Sequence, residues 1–264
     1  MLNKPKTYLR VLGSSNWCPT PGCDSSSYTV CDKLMVDTGW YAVPNMMNNG
    51  LEPLDMPLVL FTHMHADHAM GLPQMLLYWR VHNKGDIRPL TLAGPKEMLR
   101  GTYEKAYDYA FRDAPDAAPD FGEPTLMELS PGDTFEYRGL KIETLASDHA
   151  VPGLVYRITD LESGHVLGIT GDTAYRAEFG PFFKNCDLLL HEASFGKGPI
   201  DPAANAHCRH SSAYEAVMVA KEAQAKHLVL THAPLPNRMP ALEQAGALLD
   251  IPVDWAEPYK VFEF

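Results

Sequence analysis

Leu58-Val59-Leu60-Phe61-Thr62-His63-Met64-His65-Ala66-Asp67-His68 decides the reading of this chain. It begins as an apolar run of the kind that forms a buried strand. It then breaks into three histidines and an aspartate with the spacing H-x-H-x-D-H. Imidazole and carboxylate are the donors that borderline metal ions such as zinc favour. On a tight turn behind a strand, His63 and His65 reach one ion, while Asp67 and His68, further round the turn, reach a second a few ångströms away. A solvated polar turn would explain any one of these residues. Four donors directly behind a buried strand point to a metal centre.

Outward from this stretch, other strand-like runs end in the same way. Residues 140–145 lead to Asp148 and His149, and residues 166–171 lead to Asp172. Leu188-Leu189-Leu190 ends at His191 and Glu192, and Leu228-Val229-Leu230-Thr231 ends at His232. Ligand sites in open α/β sheets form at the carboxyl ends of strands, so five such endings imply one shared site. The sequence also predicts strands over 7–13, 27–30, 33–36, 89–93, 125–129 and 134–137. Asp37-Thr38-Gly39 closes the hairpin formed by the second and third of these. Apolar periodicity predicts a helix over 71–80, and a second opening at Gly94-Pro95 with a stripe that includes Tyr103, Tyr107 and Phe111. Residues 114–124 read as a loop. Ser212-x-x-Glu215 is a capping box opening a third helix.

The 264 residues, 45% of them hydrophobic, suffice for a large single core, so one domain over 1–264 is expected. A net charge of −11 argues against a surface built for broad contact with a phosphate backbone. The five cysteines follow no disulfide-rich spacing. Cys18, Cys23 and Cys31 lack an evident fourth partner for a structural zinc, so free thiols are the simpler expectation, and Cys208 has no assigned role. Residues 1–6 lead into no long apolar segment, and no run is long enough to span a membrane. A protein of the reducing cytoplasm is the expectation.

The H-x-H-x-D-H turn resembles the metal-binding signature of the metallo-β-lactamase superfamily. Several further segments resemble its ribonuclease Z-like branch: the loop from Cys18 to Ser27, Ser147 to Arg157, His191-Glu192-Ala193-Ser194 and His210-Ser211-Ser212. The resemblance implies an αββα sandwich of two mixed β-sheets with outer helices. It implies that His63, His65 and His149 hold one divalent ion, that Asp67, His68 and His232 hold another, and that Asp172 bridges them. Zinc is the default, with manganese or iron compatible with the same donors. Asp67 and His210 would be catalytic, His191 and Glu192 would support the loop that carries His210, and His210, Ser211 and Ser212 would bind an anion at a helix N-terminus. The true β-lactamases of the superfamily lack a bridging aspartate, which sets this chain apart from antibiotic-degrading enzymes. His82, His165 and His227 fall outside the pattern, and His207 sits ambiguously close to His210.

Ribonuclease Z carries a tRNA-gripping arm between the third-histidine segment and the Gly-Asp-Thr strand. Here only residues 159–165 join those segments. The expected activity is therefore hydrolysis of a small phosphodiester, with tRNA an unlikely partner and a homodimer the expected assembly. The alternatives are a ribonuclease Z-type RNA endonuclease, a hydrolase of a lactone, carboxylic ester or aryl sulfate, and a non-hydrolytic binding protein on the same fold.

Overall fold

The structure is a computed structural model that describes residues 7–84, 88–112 and 122–264. The leading residues 1–6 and most of the expected loop at 114–124 lie outside the described residues. The strands are β1 (Tyr8–Gly13), β2 (Ser27–Val30), β3 (Leu34–Val36), β4 (Leu58–Leu60), β5 (Thr91–Pro95), β6 (Thr125–Leu129), β7 (Thr134–Tyr137), β8 (Leu140–Ala146), β9 (Leu154–Asp160), β10 (Val166–Ile169), β11 (Leu188–Glu192), β12 (Leu228–Thr231), β13 (Val253–Trp255) and β14 (Val261–Glu263). The helices are α1 (Ala42–Asn48), α2 (Ala66–Ala69), α3 (Leu72–His82), α4 (Leu99–Phe111), α5 (Phe179–Phe182), α6 (Ala213–Ala223) and α7 (Leu235–Leu248).

The strands form two seven-stranded sheets, ordered β14-β1-β2-β3-β4-β5-β6 and β13-β12-β11-β10-β9-β8-β7. Each sheet is mixed: β3 to β6 run parallel in the first, and β10 to β13 run parallel in the second. Side chains alternate across the pleat, so each central strand feeds two cores. Leu58 and Leu60 join Leu188, Leu190 and Val229 between the sheets. Val59 faces α1 and α3 with Met46, Leu72, Met75, Leu76 and Trp79. Leu189, Leu228 and Leu230 face α6 and α7 with Ala216, Val219, Ala220 and Ala245. Burying each such Leu or Val contributes roughly 1.5–3 kcal/mol. The result is the expected four-layer sandwich, helices outside and sheets inside.

Two local expectations are corrected. The helix expected from Gly94-Pro95 begins only at Leu99. Gly94 and Pro95 extend β5 because they pair in parallel with Glu128 and Leu129 of β6. The aromatic stripe of α4 is largely spent inside the chain. Phe111 is buried under the Arg80 guanidinium, 4.7 Å from its ring centre, and Tyr103 and Tyr107 pack against the α3 side of the core. Tyr109 is the aromatic of α4 that stays exposed.

Between β9 and β10 the chain turns back within residues 161–165. The turn is closed by Asp160 N donating to the His165 carbonyl and by Gly164 N donating to the Asp160 carbonyl. No helix among the described residues is long and apolar enough to cross a membrane.

Candidate metal centre

The centre lies at the carboxyl ends of the parallel strands, where the two sheets meet. The β4 strand delivers His63, His65, Asp67 and His68 through a tight turn whose last part is α2. The β8–β9 connection delivers His149, the end of β10 delivers Asp172, β11 delivers Glu192, and β12 delivers His232. Gly171 lets two of these turns pack together. Its φ is +55°, and a Cβ there would stand 2.6 Å from the Cβ of Thr62, so any larger residue would push Asp172 away from His63. His232 itself has a left-handed backbone (φ 57°). That conformation is costly for a residue other than glycine, and it is held by the His232 N–H donating to the Ser14 carbonyl at 2.9 Å.

All seven expected ligands come together in two groups. His65 Nδ1 faces His63 Nε2 at 3.1 Å and His149 Nε2 at 3.0 Å. Across the cluster, His232 Nε2 lies 3.3 Å from His68 Nε2 and 3.2 Å from Asp67 Oδ2. Asp172 stands between the groups. Its Oδ2 is 3.8 Å from His63 Nε2 and 3.3 Å from His232 Nε2, and its Oδ1 is 3.4 Å from His68 Nε2. In each group the donor atoms fall within 4.8 Å of one another.

This donor set fits divalent ions. A tetrahedral ion about 2.0–2.1 Å from each nitrogen separates its donors by roughly 3.3 Å, close to the spacings observed. Asp172 Oδ1 is buried and makes no hydrogen bond within the protein, a costly state for a carboxylate oxygen unless a cation satisfies it. None of the ligand groups contains a cysteine, and Cys18, Cys23, Cys31, Cys186 and Cys208 are all free thiols.

Electrostatics divides the two groups. Burial, reinforced by the neighbouring imidazoles, holds His63 well below the usual histidine range, and burial lowers His65 and His149 as well. The shifts favour the neutral ring, the form that binds metal. His68 is opposite. Burial works against its charge, but Asp172 and Asp37 outweigh burial and hold it well above the usual range. Burial likewise opposes the charge of Asp172, yet His232 and His68 keep its carboxyl well below the usual carboxylate range. The carboxylates of the second group therefore favour a positive charge beside them.

Most of the rings are fixed from behind, as ligand imidazoles require. His63 Nδ1 meets Thr62 Oγ1 at 3.2 Å, His68 Nδ1 meets Asp37 Oδ2 at 2.8 Å, His149 Nδ1 meets the Arg209 carbonyl at 3.2 Å, and His232 Nδ1 meets Ser194 Oγ at 2.9 Å. The sequence reads Asp37 as a residue of the turn that closes a hairpin and Ser194 as part of the His191-to-Ser194 segment, and it pairs neither with a ligand imidazole. Asp37 ends β3 as the other donors end their strands, and that was the signal available. Ser194 is marked only as the last residue of the His191-Glu192-Ala193-Ser194 segment, which does not say which ring its hydroxyl meets.

His210 overhangs the cluster. Its Nδ1 lies 2.9 Å from Glu192 Oε1 and 3.7 Å from Asp172 Oδ2. Burial opposes its charge, but the Glu192 carboxylate prevails and pushes it up to about 10. Glu192 is fully buried and also accepts from Thr173 N at 2.6 Å and from Ser194 N at 3.3 Å. Asn205 grips the peptide groups of His210 on both sides: His210 N donates to Asn205 Oδ1 at 2.9 Å, and Asn205 Nδ2 donates to the His210 carbonyl at 2.7 Å. His191 does not join this network directly. Its Nδ1 bonds the Glu192 carbonyl at 2.8 Å, and its buried Nε2 has no partner.

The expected anion site on Ser211 and Ser212 is corrected. Both residues are buried. Ser211 Oγ donates to the Thr173 carbonyl, and Ser212 Oγ accepts from Tyr214 N in the capping box it forms with Glu215. The N–H groups of Ser212 and Ala213 go to Glu215 Oε2 and to the Gly196 carbonyl. The protein itself caps α6, which leaves His210 as the anion-facing group. His82, His165, His207 and His227 lie outside the centre: His82 stacks on Tyr78, and His227 Nε2 is 2.9 Å from Asp254.

Comparison with known proteins follows the same lines. The sequence profile of the Beta-lactamase superfamily domain matches residues 33–233. Ribonuclease Z of Halalkalibacterium halodurans is 30% identical over 224 residues, covering 66% of this chain and 69% of that protein. Among solved structures, the metallo-β-lactamase fold protein YhfI from Bacillus subtilis superposes with a TM-score of 0.83 at 23% identity, covering 98% of this chain and 100% of that one. A diphosphatase from the PhnP family superposes with a TM-score of 0.69 at 19% identity, covering 98% of each chain. With its two mixed seven-stranded sheets and its His/Asp cluster, the chain belongs to the metallo-β-lactamase superfamily, as a ribonuclease Z-like member with the architecture of a metal-dependent hydrolase.

Proposed function

We propose that this protein hydrolyses a small phosphodiester at a centre of two divalent metal ions, zinc by default and manganese or iron by tolerance of the donors. The observation that carries this reading is the position of His210, whose Nδ1 lies 2.9 Å from Glu192 Oε1 and 3.7 Å from Asp172 Oδ2, over the two ligand groups that Asp172 stands between. His63, His65 and His149 would hold one ion, Asp67, His68 and His232 the other, with Asp172 shared between them. Ions bound there would supply Lewis-acid polarisation and a hydroxide at neutral pH.

The remaining work falls to side chains. Asp67 Oδ2, pulled towards the centre by His232, is placed to orient the nucleophilic water and to take its proton. Among the described residues, His210 Nε2 has no protein partner, so it faces the substrate as a donor. It would stabilise charge on a phosphoryl oxygen or deliver a proton to the departing alkoxide. Glu192 and Asn205 hold that ring in place.

A phosphodiester suits one imidazolium beside two cations better than a neutral ester or lactone does. Small size is supported by the short β9–β10 turn at 161–165, where a tRNA-gripping arm would have to emerge, and by the net charge of −11. The Ribonuclease Z relative keeps RNA cleavage as the second reading. The deciding experiment assays metal-reconstituted protein on bis(4-nitrophenyl) phosphate, a lactone, an aryl sulfate and a 3′-extended pre-tRNA, with Asp67→Ala as control. Hydrolysis of the phosphodiester that Asp67→Ala reduces by orders of magnitude while metal is retained supports the proposal. Efficient site-specific cleavage of the pre-tRNA, or activity on the lactone or sulfate alone, overturns it.

A further inference from the structure

His68 and His232 are 164 residues apart in the chain, yet their Nε2 atoms lie 3.3 Å from each other. Each histidine is clasped from outside the centre, and both clasps lead to one buried residue, Asp24. The clasp on His68 is the turn that follows β3. Asp37 Oδ2 meets His68 Nδ1 at 2.8 Å. Thr38 N donates to the His68 carbonyl at 2.7 Å, and Gly71 N donates to the Gly39 carbonyl at 2.7 Å. The Asp24 carboxylate holds the far end of this turn. Its Oδ1 accepts from Trp40 N at 3.3 Å, and its Oδ2 accepts from Tyr41 N at 2.9 Å and from Asn45 Nδ2, on α1, at 2.7 Å. Gly39 has a φ of +53°, and a Cβ there would stand 2.9 Å from Asp24 Oδ2, so the turn closes directly on the carboxylate.

The clasp on His232 starts from the backbone of the same residue. The Asp24 carbonyl accepts from Ser14 N at 2.9 Å and from Ser15 N at 2.8 Å. The Ser14 carbonyl in turn accepts the His232 N–H, the bond that holds the left-handed backbone of that ligand. Asp24 therefore supports His68 through its side chain and His232 through its main chain. With Ser25 N at 2.8 Å its carboxylate has four donors. Buried donors left without an acceptor are costly, so a network satisfied in this way is stiff. His149, in the first group, is held by the Arg209 carbonyl, on a segment that makes no hydrogen bond to Asp24 among the described residues.

We propose that Asp24 is the positioning residue of the second ion position. It fixes the separation of His68 and His232, and with it the affinity of that position, without touching the ion. This rests on the two-ion reading of the centre. Groups behind the ligands of a metal site change its affinity by roughly 10- to 100-fold when they are removed, and Asp24 stands behind two ligands at once.

The test titrates zinc into the full chain against a chromophoric chelator. His149→Ala impairs the first group, so tight zinc in that background reports on the second, and His68→Ala does the reverse. Asp24→Asn should weaken zinc by about tenfold or more in the His149→Ala background and by less than about twofold in the His68→Ala background. Asparagine exchanges one acceptor oxygen for a donor, which must face the Tyr41 and Asn45 donors or those of Ser25 and Trp40. Adding Asn45→Asp restores a donor–acceptor pair between the two side chains and should recover part of the affinity, which a loop that had merely unfolded would not do. A second readout needs neither metal nor turnover. In metal-free protein the His68 Nδ1 proton, assigned by its loss in His68→Ala, gives a downfield resonance through its bond to Asp37. Asp24→Asn should broaden or shift that resonance and leave the one from His149 in place. Equal weakening of zinc in the two backgrounds, or a lower Tm with both affinities unchanged, overturns this inference and leaves the two-ion reading standing. Wild-type protein that binds a single zinc overturns the two-ion reading instead, and the His68 resonance still decides the role of Asp24: unchanged in Asp24→Asn, it refutes the proposal.

Discussion

Asp37 Oδ2 lies 2.8 Å from His68 Nδ1, on the side of the ring away from His232 and Asp172. Asp37 is itself fixed by Thr62, whose N–H and hydroxyl donate to it at 2.8 and 2.7 Å. The contact sets the tautomer and plane of His68 and makes its Nε2 a stronger donor to a cation. Asp37→Ala should therefore weaken binding at the second ion position by roughly 10- to 100-fold, with the first position little changed. Competitive titration with a chromophoric chelator measures both, and equal losses at the two positions would refute the assignment.

Metal content should approach two ions per chain in protein purified without chelator. Removing them should lower Tm and restoring them should recover it, because ligand at a hundredfold excess over Kd stabilises by about 2.7 kcal/mol per site. Affinity should fall as pH falls, since the imidazoles bind metal only when unprotonated and Asp172 and Asp37 favour the protonated form of His68. A single ion per chain under saturating metal would contradict the two-group reading.

The pairing of Glu192 with His210 should leave a mark on stability in metal-free protein. Burial opposes the Glu192 charge, but His210 holds its carboxyl below the ordinary 4.5. His210 is in turn raised from 6.5 to about 10. The imidazolium contribution is complete below 6.5 and is lost as pH rises through about 10. The carboxylate contribution is complete above 4.5 and is lost as pH falls through its depressed value. The Tm difference between wild type and Glu192→Gln should be largest between those two ordinary values and shrink towards alkaline pH. A difference that does not vary with pH would show that the pair is not charged.

Asn205 should matter for rate more than for metal. Without its two hydrogen bonds the backbone of His210 loses its fixed position, and a misplaced catalytic group costs up to about a hundredfold. Asn205→Ala should lower kcat by roughly tenfold or more with both ions retained, and Asn205→Asp, which keeps the acceptor for His210 N, should recover part of it. A change confined to KM would mean that Asn205 acts on the substrate instead.

A homodimer is expected through the outer face of α3 and α4, where Leu77, Val81 and Tyr109 are exposed. Light scattering at micromolar concentration should report twice the 29.3 kDa chain mass, and Leu77→Asp should reduce it to one. A wild-type protein that is monomeric under those conditions ends the proposal.

What the sequence determined by itself was local. Residues 58–68 hold a buried strand and four donors within eleven positions, so the turn and its chemistry were legible without any distant partner. The same holds for the apolar strands ending at His149, Asp172 and His232, and for the capping box at Ser212. Tertiary structure decided whatever depended on a partner far along the chain. Asp37 acts on a ring 31 residues away, and Ser194 on one 38 residues away. The hydroxyl of Ser211 is spent on a carbonyl 38 residues back, which removes it from any anion site. Gly94 and Pro95 read as a helix opening and became strand because β6 lies alongside them. A residue's type and spacing state which bonds it is able to make. Packing two sheets face to face determines which of those bonds the protein has already used and which remain for a ligand.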